Sequence, residues 1–123
     1  MKLIDTPLQG LYEVNTDSLS DSRGRFTRLF CEHALSAIRP RLHFTQINLS
    51  DTTQKGTLRG LHFQHAPAAE AKLIRCIRGR VFDVAVDIRK NSATFLHCLV
   101  FFRGKNNNTY LFRTFKFINL KFR

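Results

Sequence analysis

Hydrophobic and polar residues alternate over several short segments of the first 96 residues, with the two-residue period of a β-strand. In residues 44–50, Gln46 and Asn48 fall on one face, and Ile47 and Leu49 fall on the other. The longest alternating run, residues 81–89, separates two sets of side chains: Phe82, Val84, Val86 and Ile88 on one face, and Asp83, Ala85, Asp87 and Arg89 on the other.

Residues 58–64 and 72–77 are also strand-like, and polar turns such as residues 51–56 separate the runs. Short strands joined by turns predict an all-β antiparallel sandwich or barrel. One short helix is expected over residues 31–38, ended by Pro40.

The alternation fails from about residue 97. Residues 98–102 are continuously apolar, and six of the twelve phenylalanines follow residue 100. This segment is either a strand pair that closes the sheet or a sequence foreign to the fold. We therefore divide the chain into a core, residues 1–96, and a basic, Phe-rich tail, residues 97–123, which is not a separate domain.

Composition and charge narrow the classes of function. The chain is 43% hydrophobic and 24% charged, as in globular proteins. No run approaches the roughly 20 apolar residues that cross a bilayer, so we expect no membrane partner and a cytoplasmic location. Residues 1–87 contain twelve Lys or Arg and all nine acids, whereas residues 88–123 contain eight Lys or Arg and no acid. Because the excess charge lies mainly in the tail, nucleic-acid binding is not favoured.

The cysteines and histidines do not form a metal-binding pattern. Cys31, Cys76 and Cys98 are odd in number and lack metal-ligand spacing, which predicts reduced structural thiols. His62 and His65 are three residues apart, on opposite faces of a regular strand, and no nearby residue completes a ligand set. The sequence therefore predicts no metal.

Candidate chemistry lies in polar residues that interrupt the strand pattern, namely Arg23, Gln46, Asn48, Arg59, His62, Lys72 and Asp83. Each by itself is weak evidence, and the combination carries the interpretation. Arg59 and His62 would face opposite sides of a regular strand, because their separation is odd. Gly60 between them permits a bulge that would bring both side chains to one face.

Several motifs occur in the order and approximate spacing of one enzyme family. They are DSRGRF at residues 21–26, QINLS at 46–50, KGTLRGLHFQ at 55–64, KLIRC at 72–76, GRVFDVAVDIR at 79–89 and SATF at 92–95. On these motifs the chain resembles the dTDP-4-dehydrorhamnose 3,5-epimerase family over residues 1–96. The resemblance implies a cupin-type double-stranded β-helix, or jelly roll, which is usually dimeric and would here be incomplete at the C-terminus.

The resemblance also implies a reaction: inversion at C3 and C5 of dTDP-4-dehydro-6-deoxy-D-glucose without a cofactor, for dTDP-rhamnose or related deoxysugars. Both carbons flank the C4 ketone, so a positioned base can remove their protons. By resemblance, His62 is the base, Lys72 stabilises the enolate oxygen, and Asp83 positions Lys72 or His62. The implied substrate-binding residues are Arg23 and Arg59 at the diphosphate, Gln46 and Asn48 at the nucleotide end, and Arg28, where some relatives carry Glu.

The resemblance stops near residue 96. Family members continue with a Pro-x-Gly-x-x-His-Gly-Phe pattern, a proton-donor Tyr and an Asp that orients the base. Here no His follows His97, no acid follows Asp87, and the surroundings of Tyr110 do not match the donor motif. We interpret the tail as the product of a frameshift or truncation, or as a shortened variant. The alternative function is a non-catalytic cupin that binds a sugar nucleotide.

Overall fold

The structure, a computed structural model, describes residues 1–36, 43–104, 109–113 and 115–122, with Arg103 and residues 109–122 described by their backbone. Its elements in chain order are β1 (Lys2–Asp5), β2 (Leu11–Asn15), β3 (Ser18–Asp21), β4 (Gly24–Thr27), α1 (Glu32–Ser36), β5 (Leu58–His62), β6 (Ala71–Arg75), β7 (Arg80–Asp87), β8 (Cys98–Arg103), β9 (Thr109–Arg113) and β10 (Phe115–Phe122). The strand content confirms the predicted all-β class.

The strands form two four-stranded sheets and a separate hairpin, and all of their pairings are antiparallel. The first sheet has the order β1-β2-β9-β6, the second has the order β5-β10-β7-β8, and β3 pairs with β4. The inner faces of the two sheets share one apolar cluster, formed by Leu8, Leu11, Ala85 and Phe101, with Ile74 and Leu99 packed against it.

The opposite face of the first sheet is covered by α1. Leu35 of this helix is 1% exposed and packs against Val14, with Leu73 and Phe44 beside them. Full burial of one such aliphatic side chain contributes roughly 2 kcal/mol to folding. The helix therefore gives the first sheet an outer apolar layer and leaves its inner face for the space between the sheets.

The alternation predicted for residues 81–89 is present in β7, and its polar set faces inward. Asp83, Ala85 and Asp87 are each fully buried, whereas Phe82 and Val84 on the other face are half-buried. Burying a carboxylate is costly unless the fold supplies partners for it. The interior between the sheets is therefore built to contain polar groups as well as apolar ones.

The tail contributes strands to both sheets. β9 lies between β2 and β6, and β10 lies between β5 and β7. Of the two interpretations left open for residues 97–123, the structure therefore shows paired strands. An interior strand supplies hydrogen bonds along both edges, so each sheet depends on a tail strand for its continuity. The division of the chain at residue 96 stays a prediction.

The strand expected over residues 44–50 is wrong. Residues 43–57 contain no strand, and Ile47 and Leu49 are 93% and 75% exposed. An alternating sequence becomes a strand when a neighbouring strand accepts its backbone hydrogen bonds, and no described strand pairs with this segment.

The other predicted strands, and the predicted helix, are shorter than expected or shifted by a residue or two. Residues 37 and 38 of the expected helix lie outside the described residues.

Candidate functional site

A bulge in β5 brings Arg59 and His62 to one face of the second sheet. The pairing of β5 with β10 shifts register at this point, so that Leu61 is an extra residue between the pairs made by Gly60 and His62. Arg59 and His62 therefore oppose β10 positions that are two residues apart, which lie on the same face. Gly60 has a φ of 129°, a backbone conformation that favours glycine. The bulge predicted from the sequence is confirmed.

This shared face is the interior face. The two β10 positions opposite Arg59 and His62 are also opposite Asp83 and Ala85 of β7. Ala85 belongs to the apolar cluster between the sheets, so all four residues face the other sheet. Asp83 is fully buried, while Arg59 and His62 are exposed. The arrangement places a carboxylate deep in the interior and an imidazole and a guanidinium where a ligand can reach them.

Lys72 lies on the interior face of the opposite sheet. Lys72 of β6 and Leu11 of β2 oppose the same position of β9, and Leu11 is in the apolar cluster. Ile74, two residues further along the strand, packs against the same cluster. The Lys72 side chain is 28% exposed, and its Nζ lies 2.9 Å from Oε1 of Glu70. The fold therefore sets Lys72 across the interior from the sheet that carries His62, Arg59 and Asp83.

Arg59 also contacts the irregular segment of residues 43–57. Its Nε donates a hydrogen bond to Oγ1 of Thr52 at 3.3 Å. This contact joins the segment to β5 next to the bulge. Because the contact uses only Nε, the two terminal nitrogens of the Arg59 guanidinium can donate to a ligand oxygen.

The four other predicted substrate-binding residues lie outside the interior in this single chain. The side chain of Arg23 is 88% exposed in the β3–β4 turn and pairs with Asp21 at 2.7 Å. Hydrogen bonds from the Arg23 side chain and backbone lower the pKa of Asp21 below its ordinary value. Arg28 follows β4 and is exposed, and Gln46 and Asn48 are exposed in the irregular segment. The structure does not bring these four side chains to Lys72.

Asp87 is the centre of a buried hydrogen-bond network at the end of β7. Its carboxylate accepts bonds from Nε and Nη2 of Arg89 at 2.8 and 2.7 Å, from Oγ of Ser92 at 2.6 Å and from Oγ1 of Thr94 at 2.7 Å. Burial raises the pKa of Asp87, but these bonds outweigh burial and hold the pKa well below its ordinary value. Arg89 also donates to the carbonyl of Gln9. The network thereby ties the loop after β7 to the β1–β2 connection.

Two acidic residues on the Lys72 side of the interior were missed in the sequence. Glu70 is its ion-pair partner, and Glu13 faces the interior because it opposes the same β9 position as Ile74. Glu70 could have been found in the sequence, because it stands two residues before Lys72. Residues two apart in an extended segment point to the same face. Glu13 could not be found in this way, because its position depends on the pairing of β2 with a strand almost 100 residues away.

Neither a metal cluster nor a membrane-spanning helix is found in the described part of the chain. Over these residues, no three His, Cys, Asp or Glu side chains are grouped so that they could hold a metal ion. The same residues include no helix long and apolar enough to cross a bilayer. Cys31, Cys76 and Cys98 form no disulfide, and Sγ of Cys76 donates hydrogen bonds to the carbonyls of Arg78 and Gly79.

The chain is similar to known sugar-nucleotide epimerases in both sequence and structure. A family model described as dTDP-4-dehydrorhamnose 3,5-epimerase matches residues 5–117. The dTDP-4-dehydrorhamnose 3,5-epimerase of Shigella flexneri is 44% identical over 96 residues, which cover 77% of this chain and 52% of the relative. The chain thus spans about half the length of the curated relatives it matches.

Two solved structures with bound ligands share the fold. The dTDP-4-dehydrorhamnose 3,5-epimerase of Bacillus anthracis, with TDP and PPi bound, superposes with a TM-score of 0.91 at 32% identity, covering 98% of this chain and 70% of that one. The dTDP-6-deoxy-D-glucose-3,5-epimerase of Legionella pneumophila, in complex with dTDP-4-keto-L-rhamnose, superposes with a TM-score of 0.80 at 28% identity, covering 98% and 65%. These matches confirm the jelly-roll fold class.

Proposed function

This chain belongs to the dTDP-4-dehydrorhamnose 3,5-epimerase family, and on that basis we propose that it is a nucleotide-sugar epimerase. Its substrate would be dTDP-4-dehydro-6-deoxy-D-glucose, inverted at C3 and C5 to supply dTDP-rhamnose or a related deoxysugar. The observation that carries the proposal is the interior arrangement, in which His62, Arg59 and Asp83 on one sheet face Lys72 on the other.

The proposed chemistry needs one base and one cation at this place. The neutral imidazole of His62 removes the proton from C3 or C5, and the electron pair moves into the C4 carbonyl to give an enolate. The ammonium of Lys72 stabilises the negative oxygen of that enolate. A solvent water molecule on the opposite face returns a proton to the carbon, which inverts the centre and restores the ketone. The hydroxide left behind takes the proton from His62, and Asp83 positions Lys72 or His62 during the cycle.

Binding of the nucleotide diphosphate is assigned to the arginines and amides. A guanidinium fork matches phosphate oxygens, so Arg59 beside the base suits the diphosphate of the substrate. The Bacillus and Legionella relatives carry TDP with PPi and a dTDP-sugar, ligands of this chemical class. Arg23 is proposed to contact the diphosphate with Arg59, and Gln46 and Asn48 are proposed to contact the nucleotide end. Arg28 is proposed as a further substrate contact. Cysteines that form no disulfide fit a reducing compartment, so we propose a cytoplasmic location.

The test is exchange of deuterium from solvent into C3 and C5 of dTDP-4-dehydro-6-deoxy-D-glucose, followed by NMR. Exchange at both carbons is the expected result, and exchange at one carbon would restrict the proposal to a single-centre epimerase. A folded chain that exchanges neither carbon would refute catalysis. The surroundings of Tyr110 do not match the donor motif of the family, and this observation favours the second candidate, a non-catalytic cupin. Calorimetric binding of dTDP without exchange would identify it.

We also propose that the chain forms a homodimer. Leu19 and Phe26 are cross-strand neighbours on one face of the β3–β4 hairpin, and they are 74% and 68% exposed. Exposed apolar neighbours of this size are typical of surfaces that a partner covers. The hairpin carries Arg23, Arg28 follows it directly, and the segment of residues 43–57 carries Gln46 and Asn48. A second copy over these segments would therefore help to complete the nucleotide end of the site.

The double variant L19S/F26S is expected to sediment as a monomer under conditions in which the unchanged chain sediments as a dimer. The physical reason is the loss of two large apolar side chains from the contact. Sedimentation velocity measures the change, and Arg25→Ser on the same hairpin is the matched control. A double variant that remains dimeric would exclude this face of the hairpin from the interface.

A further inference from the structure

The ion pair between Glu70 and Lys72 lies at the edge of the proposed site. Glu70 directly precedes β6, and its Oε1 lies 2.9 Å from Nζ of Lys72. Both side chains are about two-thirds buried, with exposures of 33% and 28%. A pair with this burial is screened less by solvent and salt than a fully exposed one. Glu70 therefore has a direct electrostatic effect on the Lys72 ammonium.

Lys72 needs an anchor because of its chemistry. Its ammonium stands on a flexible four-carbon stem, whereas stabilisation of an enolate oxygen requires a fixed charge. Other charged or titratable groups on the interior faces include Glu13 on β2, Arg59 and His62 on β5, and Asp83 and Asp87 on β7, and Asp87 is bonded to Arg89. Arg59 is a cation and would repel Lys72. The ion pair given by the structure for Lys72 is with Glu70.

We propose that Glu70 is a positioning residue for the epimerase reaction, which holds the Lys72 ammonium at the place where the enolate oxygen forms. Glu70 acts through Lys72 and needs no contact with the substrate. When the C4 oxygen becomes negative, Lys72 exchanges part of its interaction with Glu70 for the enolate. This inference rests on the proposed function for its catalytic meaning, while the anchoring of Lys72 can be measured without turnover.

The decisive variant is Glu70→Gln, which keeps the length of the side chain and removes its charge. We expect kcat for exchange at C3 and C5 to fall about 10-fold, since a misplaced catalytic group loses rate, while KM changes less than about twofold. Glu70→Asp retains the charge and is expected to recover part of the loss. Glu32→Gln, which removes the exposed partner of His43, is the matched control and should leave kcat unchanged.

A second readout separates the anchoring of Lys72 from catalysis. Reductive methylation with ¹³C labels the seven lysines of the chain, and Lys72→Arg assigns the Lys72 resonance. This resonance should shift in Glu70→Gln and stay in place in Glu32→Gln. An unchanged Lys72 resonance in Glu70→Gln, or a kcat that is unchanged or higher, overturns the proposal. If the unchanged chain shows no exchange but the Lys72 resonance shifts in Glu70→Gln, the proposed function fails and the anchoring of Lys72 by Glu70 stands.

Discussion

Replacing His62 with alanine is expected to lower the rate of exchange at C3 and C5 by about 10³-fold, while the affinity for dTDP changes less than about threefold. A positioned general base contributes roughly 10² to 10⁴ in rate, and alanine retains no group that can accept the proton. The nucleotide contacts are assigned to other side chains, so binding should survive. Solvent deuterium exchange followed by NMR gives the rate, and calorimetry with dTDP gives the affinity.

His65 provides the matched control, because it is exposed and lies three residues further along the chain. His65→Ala should exchange at close to the rate of the unchanged chain. If His62→Ala retains exchange, the base lies elsewhere, and the bulge at Leu61 would have a structural role instead. If His62→Ala loses dTDP binding as well as exchange while His65→Ala keeps both, His62 also holds the nucleotide, and the predicted separation of catalysis from binding is wrong.

Replacing Asp87 with asparagine is expected to lower the free energy of unfolding at pH 7 by about 3 kcal/mol. The change removes the charge that satisfies the half-buried Arg89 guanidinium and weakens the bonds from Ser92 and Thr94. Urea denaturation gives the difference. Asp21→Asn is the matched control, because Asp21 also pairs with an arginine two residues later but is exposed, and it should change the stability little.

The same carboxylate gives the stability a defined dependence on pH. The pKa of Asp87 is lower in the folded chain than its ordinary value of 3.8, so the folded state binds fewer protons than the unfolded state in acid. The contribution of the Asp87 carboxylate to the free energy of unfolding is therefore complete above about pH 5, and it is lost as the pH falls below about 4. The Asp87→Asn variant should lack this part of the acid destabilisation. Parallel pH curves for the two proteins would contradict the role of the network.

Local features of the fold could be predicted because they depend on residues that are close together in the chain. The alternation of residues 81–89 is visible in any short window, and β7 follows it. A bulge was predicted because Gly60 stands between Arg59 and His62, whose separation is odd, and the pairing with β10 confirms it. The family itself was recognisable because its motifs each span fewer than a dozen residues.

The errors have a common origin in long-range pairing. Residues 44–50 alternate as well as β7 does, yet they are not a strand, because no described strand pairs with them. Residues 109–113 and 115–122 have poor alternation, yet they form interior strands with partners on both sides. Backbone hydrogen bonds between strands are made by distant parts of the chain, so the sequence of one segment cannot report them.

The sequence by itself determined the all-β class, the family, the pairing of Arg59 with His62 on one face of β5 and the polar face of β7. Those features follow from the two-residue period of a strand and from motifs of a few residues. Which face of β7 is buried, and that Lys72 lies across the interior from His62, followed from the packing of the two sheets. The partnership of Lys72 with Glu70 likewise required coordinates, because an ion pair is defined by the distance between two side-chain ends.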